Sequence, residues 1–171
     1  NQAGLNAEAV AEHALAMMLC LTKQIAQVNM ALRRDPELDR LTFRSNDIFG
    51  KTLGIVGLGH IGARVAEICT TAFDMTVLAT HPRLTAAQAE KRHAQLVALP
   101  ALLEAADFVL VACGLNDETR GMFGTAQFRQ MKPSAYFITV ARGGIHDENA
   151  LAEALAAKDI AGAGLDVWMH E

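Results

Sequence analysis

The chain has 171 residues, of which 51% are hydrophobic and 20% charged, and its net charge is −4. A chain of this length buries roughly 70% of its unfolded surface, so we expect a single globular domain. The negative charge leaves no basic face for a nucleic-acid backbone, and no run reaches the roughly 18 apolar residues of a membrane helix. We therefore expect neither nucleic acid nor a membrane as a partner.

Cysteine usage favours a reducing, cytoplasmic location. Cys20, Cys69 and Cys113 lie in apolar segments and form neither a Cys-x-x-Cys pair nor a metal-ligand spacing, so we expect buried thiols and no metal site. No secretion signal opens the chain. The sequence begins at Asn1 without methionine and stops at Glu171 directly after a strand-like segment, which suggests a piece of a larger protein.

The first third of the chain predicts one long helix over residues 6–34. Its apolar residues follow helical spacing, Asn6 is placed to cap the first turn, and Asp35-Pro36 ends it. A polar connector follows over residues 37–50. We divide the chain into a junction helix with its connector at 1–45 and a second unit at 46–171.

The second unit alternates strands and helices. Strands are predicted at 52–56, 75–80, 108–112, 136–140 and 162–167, with a short apolar stretch at 95–99, and helices at 60–72, 85–92, 100–105 and 147–158. The runs at 108–112 and 136–140 are apolar on both faces, as buried parallel strands are. The pattern predicts an α/β fold with a Rossmann-type, doubly wound parallel sheet and the long helix outside it.

A glycine-rich turn lies between the first strand of this unit and the helix after it. The sequence Gly57-Leu58-Gly59-His60-Ile61-Gly62 fits Gly-x-Gly-x-x-Gly in the context that binds dinucleotides. Gly57 allows the tight turn, Gly59 allows a pyrophosphate to approach, and Gly62 lets the helix pack closely on the strand. The helix N-terminus adds partial positive charge, and His60 and Ile61 are further candidate contacts. The alternative is an ordinary glycine turn without a ligand.

Six segments in order resemble the nucleotide-binding domain of the D-isomer-specific 2-hydroxyacid dehydrogenases. They are Asn6–His13, Gly57–Gly62, Glu118–Gly121, Met131–Pro133, Ala141–Gly144 and Gly162–Val167. The resemblance covers nearly the whole chain. It implies an oxidoreductase that moves hydride between a nicotinamide cofactor and a small 2-keto or 2-hydroxy acid, similar to glyoxylate/hydroxypyruvate reductases.

The resemblance also implies two catalytic residues. Arg142, at the carboxyl end of a strand, would bind the carboxylate and the reacting oxygen of the acid through charge-assisted hydrogen bonds. Glu171 falls where the family carries the glutamate that orients a catalytic histidine. No histidine here occupies the matching position, so we expect the chain to bind a cofactor without turnover. The six histidines are interpreted mainly as structural or surface residues: His13, His60, His81, His93, His146 and His170.

Further residues are expected along the cofactor by the same resemblance. Asp166 would face the nicotinamide, although a turn or helix-cap role is the alternative. Cys113-Gly114 stands where the family usually has proline at the second position, and Thr139 where asparagine is usual. We expect binding to survive both departures. The remaining candidates on this wall are Thr119, Val140 and Ala141.

The end of the second strand favours NADP over NAD. NAD-specific proteins place a carboxylate there for the ribose 2′-hydroxyl, whereas this chain has His81, with Arg83 two residues on. A 2′-phosphate would meet no negative charge and could bind Arg83. The alternative is that Arg83 points into solvent and NAD binds through its pyrophosphate.

The sequence also gives a prediction for assembly and leaves two alternative functions. Apolar residues of the long helix, among them Met17, Met18, Leu21 and Ile25, suggest a homodimer contact, although packing on the helix's own domain explains them too. A formate dehydrogenase would share the scaffold and the arginine. A dinucleotide-sensing binding or corepressor protein is the other alternative, and the presence of Arg142 and Glu171 argues against it.

Overall fold

The computed structural model describes residues 6–35, 37–39 and 43–169. Six strands form one parallel sheet in the order β3-β2-β1-β4-β5-β6. The strands are β1 Thr52–Val56, β2 Thr76–Thr80, β3 Gln95–Leu96, β4 Phe108–Val111, β5 Tyr136–Thr139 and β6 Gly162–Leu165. The helices are α1 Ala7–Thr22, α2 Ile25–Arg34, α3 His60–Phe73, α4 Ala86–Glu90, α5 Leu99–Ala105, α6 Thr125–Gln130 and α7 Glu148–Ala157.

The strand order confirms the predicted Rossmann-type fold. The order runs outward in both directions from the β1–β4 pair, and ligands of such sheets bind outside the carboxyl ends of the strands at this switch point. On one face of the sheet, α1 packs against α3. On the other, α5, α6 and α7 pack in sequence. Both faces are therefore covered, which explains why the strands read as continuous apolar runs.

The prediction of one helix over residues 6–34 is wrong. Two helices meet at Lys23 and Gln24 with a bend of 55°. Gln24 has a left-handed backbone with φ of 53°, and its side-chain amide donates to the carbonyl of Arg44 at 2.9 Å. The N–H of Asn46 also donates to the carbonyl of Thr22, so the returning connector takes over the hydrogen bonds at the break.

The capping prediction at Asn6 is also wrong. Asn6 precedes α1, but its side chain makes no capping hydrogen bond. Elsewhere the observed helix starts follow from local chemistry. Thr85 and Gln88 form a reciprocal capping box at α4, and the Asp147 carboxylate accepts from two N–H groups at the start of α7.

The two N-terminal helices differ in burial. Met18 of α1 is fully buried. Met17 and Leu21 of the same helix lie against the glycines of β6, which allow the helix to approach the strand closely. The prediction of Met18 as a subunit contact is therefore wrong. By contrast, α2 has no buried residue. Its exposed large apolar side chains are Ile25, Met30 and Leu32.

A short helix that the sequence patterns did not predict completes the second layer. Helix α6 spans only six residues, and Phe128 is its one buried side chain. The ring of Phe128 packs edge-on against Phe137 of β5 at 5.2 Å, and Phe123 lies 5.1 Å from the same ring. One buried aromatic residue therefore anchors a helix too short to show a period.

The remaining differences concern element ends. The stretch 95–99 divides into β3 and the first residue of α5, and β6 ends at Leu165 rather than at 167. Within the described residues, no single helix is long and apolar enough to cross a bilayer. The bent pair α1 and α2 passes that test only when taken together.

Candidate functional site

The glycine turn joins the carboxyl end of β1 to the start of α3. Gly57 has φ of 100°, and its N–H donates to the carbonyl of Thr80 at 3.0 Å. A Cβ at Gly57 would stand 2.7 Å from the backbone of Cys113. Residues with a side chain rarely adopt this backbone conformation, and the space has no room for a Cβ, so the turn requires glycine at this position.

The other two glycines differ in their surroundings. A Cβ at Gly62 would overlap the carbonyl oxygen of Gly57, so glycine lets α3 lie directly against the turn. Nothing stands within 4 Å of a Cβ built at Gly59, where the turn is open to solvent. The first N–H groups of α3, beginning at His60, have no partner within the helix. The turn therefore presents an accessible backbone surface suited to a pyrophosphate.

A cleft of about 510 Å³ lies beside the turn at the carboxyl ends of β4 and β5. It brings together six of the predicted site residues: Ile61, Cys113, Gly114, Val140, Ala141 and Arg142. Burial raises the pKa of the Cys113 thiol, so this group is neutral at physiological pH. The cleft is thus an apolar pocket with one permanent charge, that of Arg142.

Arg142 follows β5 and precedes two glycines in constrained backbone positions. A Cβ at Gly143 would overlap the carbonyl of Trp168, and Gly144 has φ of 81°. One guanidinium N–H of Arg142 donates to the carbonyl of Ala141 at 2.6 Å. Since the guanidinium carries five N–H groups, it keeps donors for a carboxylate ligand.

The loop after β4 is closed by Thr119. Its hydroxyl donates to the carbonyl of Gly114 at 2.8 Å and accepts from the N–H of Asn116 at 2.8 Å. Thr119 is 9% exposed. Its hydroxyl thus shapes the loop that carries Gly114, and direct contact with a cofactor stays a prediction.

Asp166 follows β6 beside the same edge of the sheet. Its N–H donates to the carbonyl of Thr139 at 3.0 Å. Its carboxylate lies 3.3 Å from Nε2 of His13, which α1 brings to this edge. Sequence reasoning treated His13 as a structural or surface residue. The helical spacing of α1 gave no signal that the strand end would lie next to it.

His81 and Arg83 occupy the end of β2. The backbone N–H of Arg83 donates to Nδ1 of His81 at 3.2 Å. Burial lowers the pKa of His81, and the charges of Arg83 and Arg92 lower it further. The neutral ring therefore carries its proton on Nε2, as a donor for a ligand. Arg92, from the turn after α4, is a neighbour that the sequence patterns did not single out.

A second cleft separates Arg83 from the loop after β4. It measures about 500 Å³ and is lined by Pro82, Arg83, Asn116, Asp117 and Glu118. Among the described residues, no carboxylate pairs with Arg83 within 4.0 Å. Asp117 and Glu118 line the same cleft without pairing with Arg83, so its guanidinium keeps donors for an anion. Glu171 and His170 lie outside the described residues, so the predicted catalytic role of Glu171 stays a prediction.

The sequence profile described as D-isomer specific 2-hydroxyacid dehydrogenase, NAD binding domain, matches residues 15–171. The chain belongs to this family. The family and the fold are those that the sequence resemblance implied. The family is described as an NAD binding domain, and this description leaves the choice between NAD and NADP open.

Characterised relatives are considerably longer. A D-3-phosphoglycerate dehydrogenase of Archaeoglobus fulgidus is 38% identical over the whole chain, which covers 32% of that protein. A glyoxylate/hydroxypyruvate reductase B of Salmonella paratyphi B is 41% identical over 96% of the chain and 51% of the relative. The chain therefore spans between about a third and a half of these enzymes.

Solved structures show the same fold with both cofactors. A D-isomer specific 2-hydroxyacid dehydrogenase of Lactobacillus delbrueckii ssp. bulgaricus in its NAD-complexed form superposes with a TM-score of 0.85 at 32% identity, over 96% of this chain and 49% of that one. An acyclic imino acid reductase in complex with NADPH and D-Arg gives 0.85 at 31% identity, over 95% and 52%. The scaffold thus accepts either dinucleotide.

Proposed function

We propose that the chain is the cofactor-binding part of an enzyme that reduces a small 2-keto acid with NADPH or oxidises the matching 2-hydroxy acid with NADP+. The observation that carries this proposal is the position of Arg142. Its guanidinium lines the cleft at the ends of β4 and β5, next to the glycine turn at the switch point of the sheet. A cofactor held on the turn and a carboxylate held by Arg142 would meet in one cleft.

The residues of this chain supply binding and charge. NADP(H), when bound, supplies or accepts the hydride. The turn from Gly57 to Gly62 would hold its pyrophosphate through backbone N–H groups. Arg142 would bind the carboxylate of the acid and stabilise negative charge on the reacting oxygen. No described histidine lines this cleft, so the proton donor is proposed to lie outside the described residues, with Glu171 orienting it.

The preference for NADP rests on the end of β2. Position 81 carries a histidine in place of a carboxylate, and the Arg83 charge has no acidic partner among the described side chains. A ribose 2′-phosphate would gain charge-assisted hydrogen bonds from both, each contributing about 1.5–3 kcal/mol. A ribose 2′-hydroxyl would gain much less from the same groups.

A homodimer in the cytoplasm is the proposed setting. Ile25, Met30 and Leu32 of α2 are 55%, 53% and 44% exposed, and α2 buries no side chain on its own domain. Ile25 and Leu32, one i to i+7 step apart, share a face of α2 that would suit a second copy of the chain. The cysteines Cys20, Cys69 and Cys113 are unpaired, which fits a reducing compartment.

A domain exchange tests the proposed reaction. This chain would replace the matching segment of the Salmonella reductase, and the chimera would be assayed with glyoxylate, hydroxypyruvate and formate. We expect reduction of the keto acids with NADPH, and loss of at least about 100-fold in turnover for Arg142→Gln because the carboxylate clamp is removed. The variant should bind NADPH within about twofold of the parent, since Arg142 is assigned to the acid.

Two outcomes would contradict the proposal. A chimera that binds NADPH normally and oxidises formate in preference would assign the domain to a formate dehydrogenase. A chimera that binds NADPH but catalyses neither reaction would favour a dinucleotide-sensing protein.

A further inference from the structure

A groove on the other side of the glycine turn is lined mainly by basic side chains. It lies between α3 and the turn that follows α4 and has a volume of about 520 Å³. Its lining residues are Gly59, His60, Ala63, Arg64, Glu67, Lys91, Arg92 and His93. The groove opens at Gly59, where the backbone is accessible, so its charges stand next to the proposed cofactor site.

Two of these charges are not balanced within the groove. Arg64 donates to Glu8 and to Glu67, each at 2.9 Å, and these carboxylates neutralise it. Lys91 and Arg92 have no carboxylate within 4.0 Å among the described residues. The net positive charge of the groove therefore comes from the turn that carries Lys91 and Arg92.

Arg92 is fixed to the glycine turn. Its guanidinium Nη1 donates to the carbonyl oxygen of Leu58, a fully buried residue between the first two glycines. Its backbone N–H donates to the carbonyl of Ala89 at 2.9 Å. The half-buried side chain is thus held at both ends. The bond to Leu58 uses one of five N–H donors and leaves the others for a ligand.

Arg92 also acts on the end of β2. Burial lowers the pKa of His81, and the charges of Arg83 and Arg92 lower it further. The ends of β1 and β2 are adjacent, because Gly57 donates to the carbonyl of Thr80. Arg92 therefore flanks the two points between which Rossmann folds hold the adenosine ribose, the glycine turn and the end of the second strand.

We propose that Arg92 is a cofactor-specificity residue that binds the 2′-phosphate of NADP(H) together with His81 and Arg83, while one N–H stays on the Leu58 carbonyl. A planar guanidinium matches two phosphate oxygens, and the Nε2 proton of His81 supplies another donor. This assignment rests on the proposed function and extends its cofactor choice to a residue outside the β2 loop. The assignment also gives a reason why a charged arginine, rather than a neutral donor, bonds to the Leu58 carbonyl in the glycine turn.

The test isolates the 2′-phosphate from the rest of the cofactor. The 171-residue chain is titrated calorimetrically with 2′,5′-ADP and with 5′-ADP, as the parent and as Arg92→Gln, Arg92→Lys and Lys91→Gln. We expect the parent to prefer 2′,5′-ADP by at least about tenfold, the contribution of one charge-assisted hydrogen bond. Arg92→Gln should lower that preference about five- to tenfold and leave 5′-ADP affinity within about twofold.

The two companion variants separate a specific contact from general charge. Arg92→Lys keeps the charge without the planar fork and should retain part of the preference, more than Arg92→Gln does, which also covers the case in which Arg92→Gln unfolds. Lys91→Gln removes one charge from the same turn without a contact to Leu58 and should change the preference less than about twofold.

Four results would overturn the assignment. Equal loss of both ligands in Arg92→Gln and in Arg92→Lys would reduce Arg92 to a brace of the glycine turn. An effect of Lys91→Gln as large as that of Arg92→Gln would reduce it to general charge. A parent that binds both ligands equally would remove the 2′-phosphate site. A parent that binds neither would contradict the cofactor site on which the proposed function rests, and 5′-ADP binding tests that site independently of the 2′-phosphate.

Discussion

The two edges of the sheet are built from the same kinds of residue but in opposite ways. At the amino edge, the Asp107 carboxylate accepts from the N–H of Thr52 and from the ammonium of Lys132, both at 2.9 Å. At the carboxyl edge, Arg83 and Arg142 have no carboxylate partner within 4.0 Å among the described residues. The Asp107 carboxylate is thus fully used at the amino edge, whereas the Arg83 and Arg142 guanidinium groups keep donors for a ligand at the carboxyl edge.

Backbone packing follows the same division. The carboxyl edge concentrates glycines that no other residue can replace, at Gly57, Gly62 and Gly143. Each brings two backbone segments closer than a Cβ allows. At the amino edge, the Asp107 side chain links the start of β1 to Lys132. Changes at the carboxyl edge should therefore alter cofactor binding, and changes at the amino edge should alter stability alone.

The largest expected effect is that of Gly62→Ala. The new Cβ would overlap the Gly57 carbonyl, so α3 must move from β1. We expect the free energy of unfolding to fall by about 2–4 kcal/mol and NADPH binding to weaken more than tenfold. Urea unfolding and calorimetric titration measure the two effects.

Gly59→Ala is the matched control at the same turn. Its Cβ meets nothing within 4 Å, so stability should change by less than about 0.5 kcal/mol while the pyrophosphate loses its close approach to the backbone. Unchanged NADPH affinity in Gly59→Ala would contradict the assignment of this turn to the cofactor.

Asp107→Asn should destabilise the amino edge by about 1–2 kcal/mol without changing NADPH affinity. Burial raises the pKa of Asp107, but hydrogen bonds from Thr52 and Lys132 outweigh it, and the net pKa is below 3.8. The stabilisation is therefore present at pH values above the ordinary pKa of an aspartate, and it is lost as the pH falls through the pKa of Asp107 in the folded state. Urea titrations between pH 2 and 7 should show this loss in the parent and not in the variant. A change in NADPH affinity would break the division between the edges.

His146→Leu should stabilise the domain by about 1 kcal/mol, because both ring nitrogens of His146 are buried without a partner among the described residues. The ring is 1% exposed and lies 5.7 Å from Phe137.

The pH dependence of the free energy of unfolding provides the control for His146→Leu. Burial lowers the pKa of His146 below 6.5, so the unfolded chain takes up a proton first as the pH falls. The parent should lose stability from about pH 6.5 downward to the folded pKa, and His146→Leu should lose less. A lower melting temperature in the variant at pH 7 would show that the histidine has a partner in solution.

Lys158→Gly gives the smallest effect. Lys158 ends α7 at the amino edge with φ of 61°, a conformation that glycine adopts without strain. We expect a gain of about 0.5–1 kcal/mol and no change in cofactor binding. A loss of stability by thermal unfolding would show that the lysine side chain contributes more than its backbone costs.

The sequence predicted the sheet well because buried parallel strands carry continuous apolar runs, as in Val109 to Val111 and Phe137 to Thr139. It also predicted the conformations of Gly57 and Gly62, since the motif reflects backbone geometry. It failed at Gln24, where contacts from Arg44 and Asn46 impose a bend that helical spacing cannot show.

The candidate site was predicted where residues stand next to strand ends, as Arg142 and Asp166 do. Arg92 and His13 were missed because they reach the site from distant elements, through a side chain that contacts Leu58 and through a helix that crosses to Asp166. His146 was interpreted as a structural or surface histidine, because its position in the loop before α7 does not distinguish burial from exposure.

The proposed 2′-phosphate site is tested by calorimetric titration of the 171-residue chain with NADPH and with NADH at the same low salt, repeated on Arg83→Ala. We expect NADPH to bind more tightly than NADH, and we expect this preference to fall in the variant while NADH affinity stays the same. Equal or NADH-favoured binding, unaffected by Arg83→Ala, would contradict the 2′-phosphate assignment, and absence of binding by either dinucleotide would contradict the cofactor site itself.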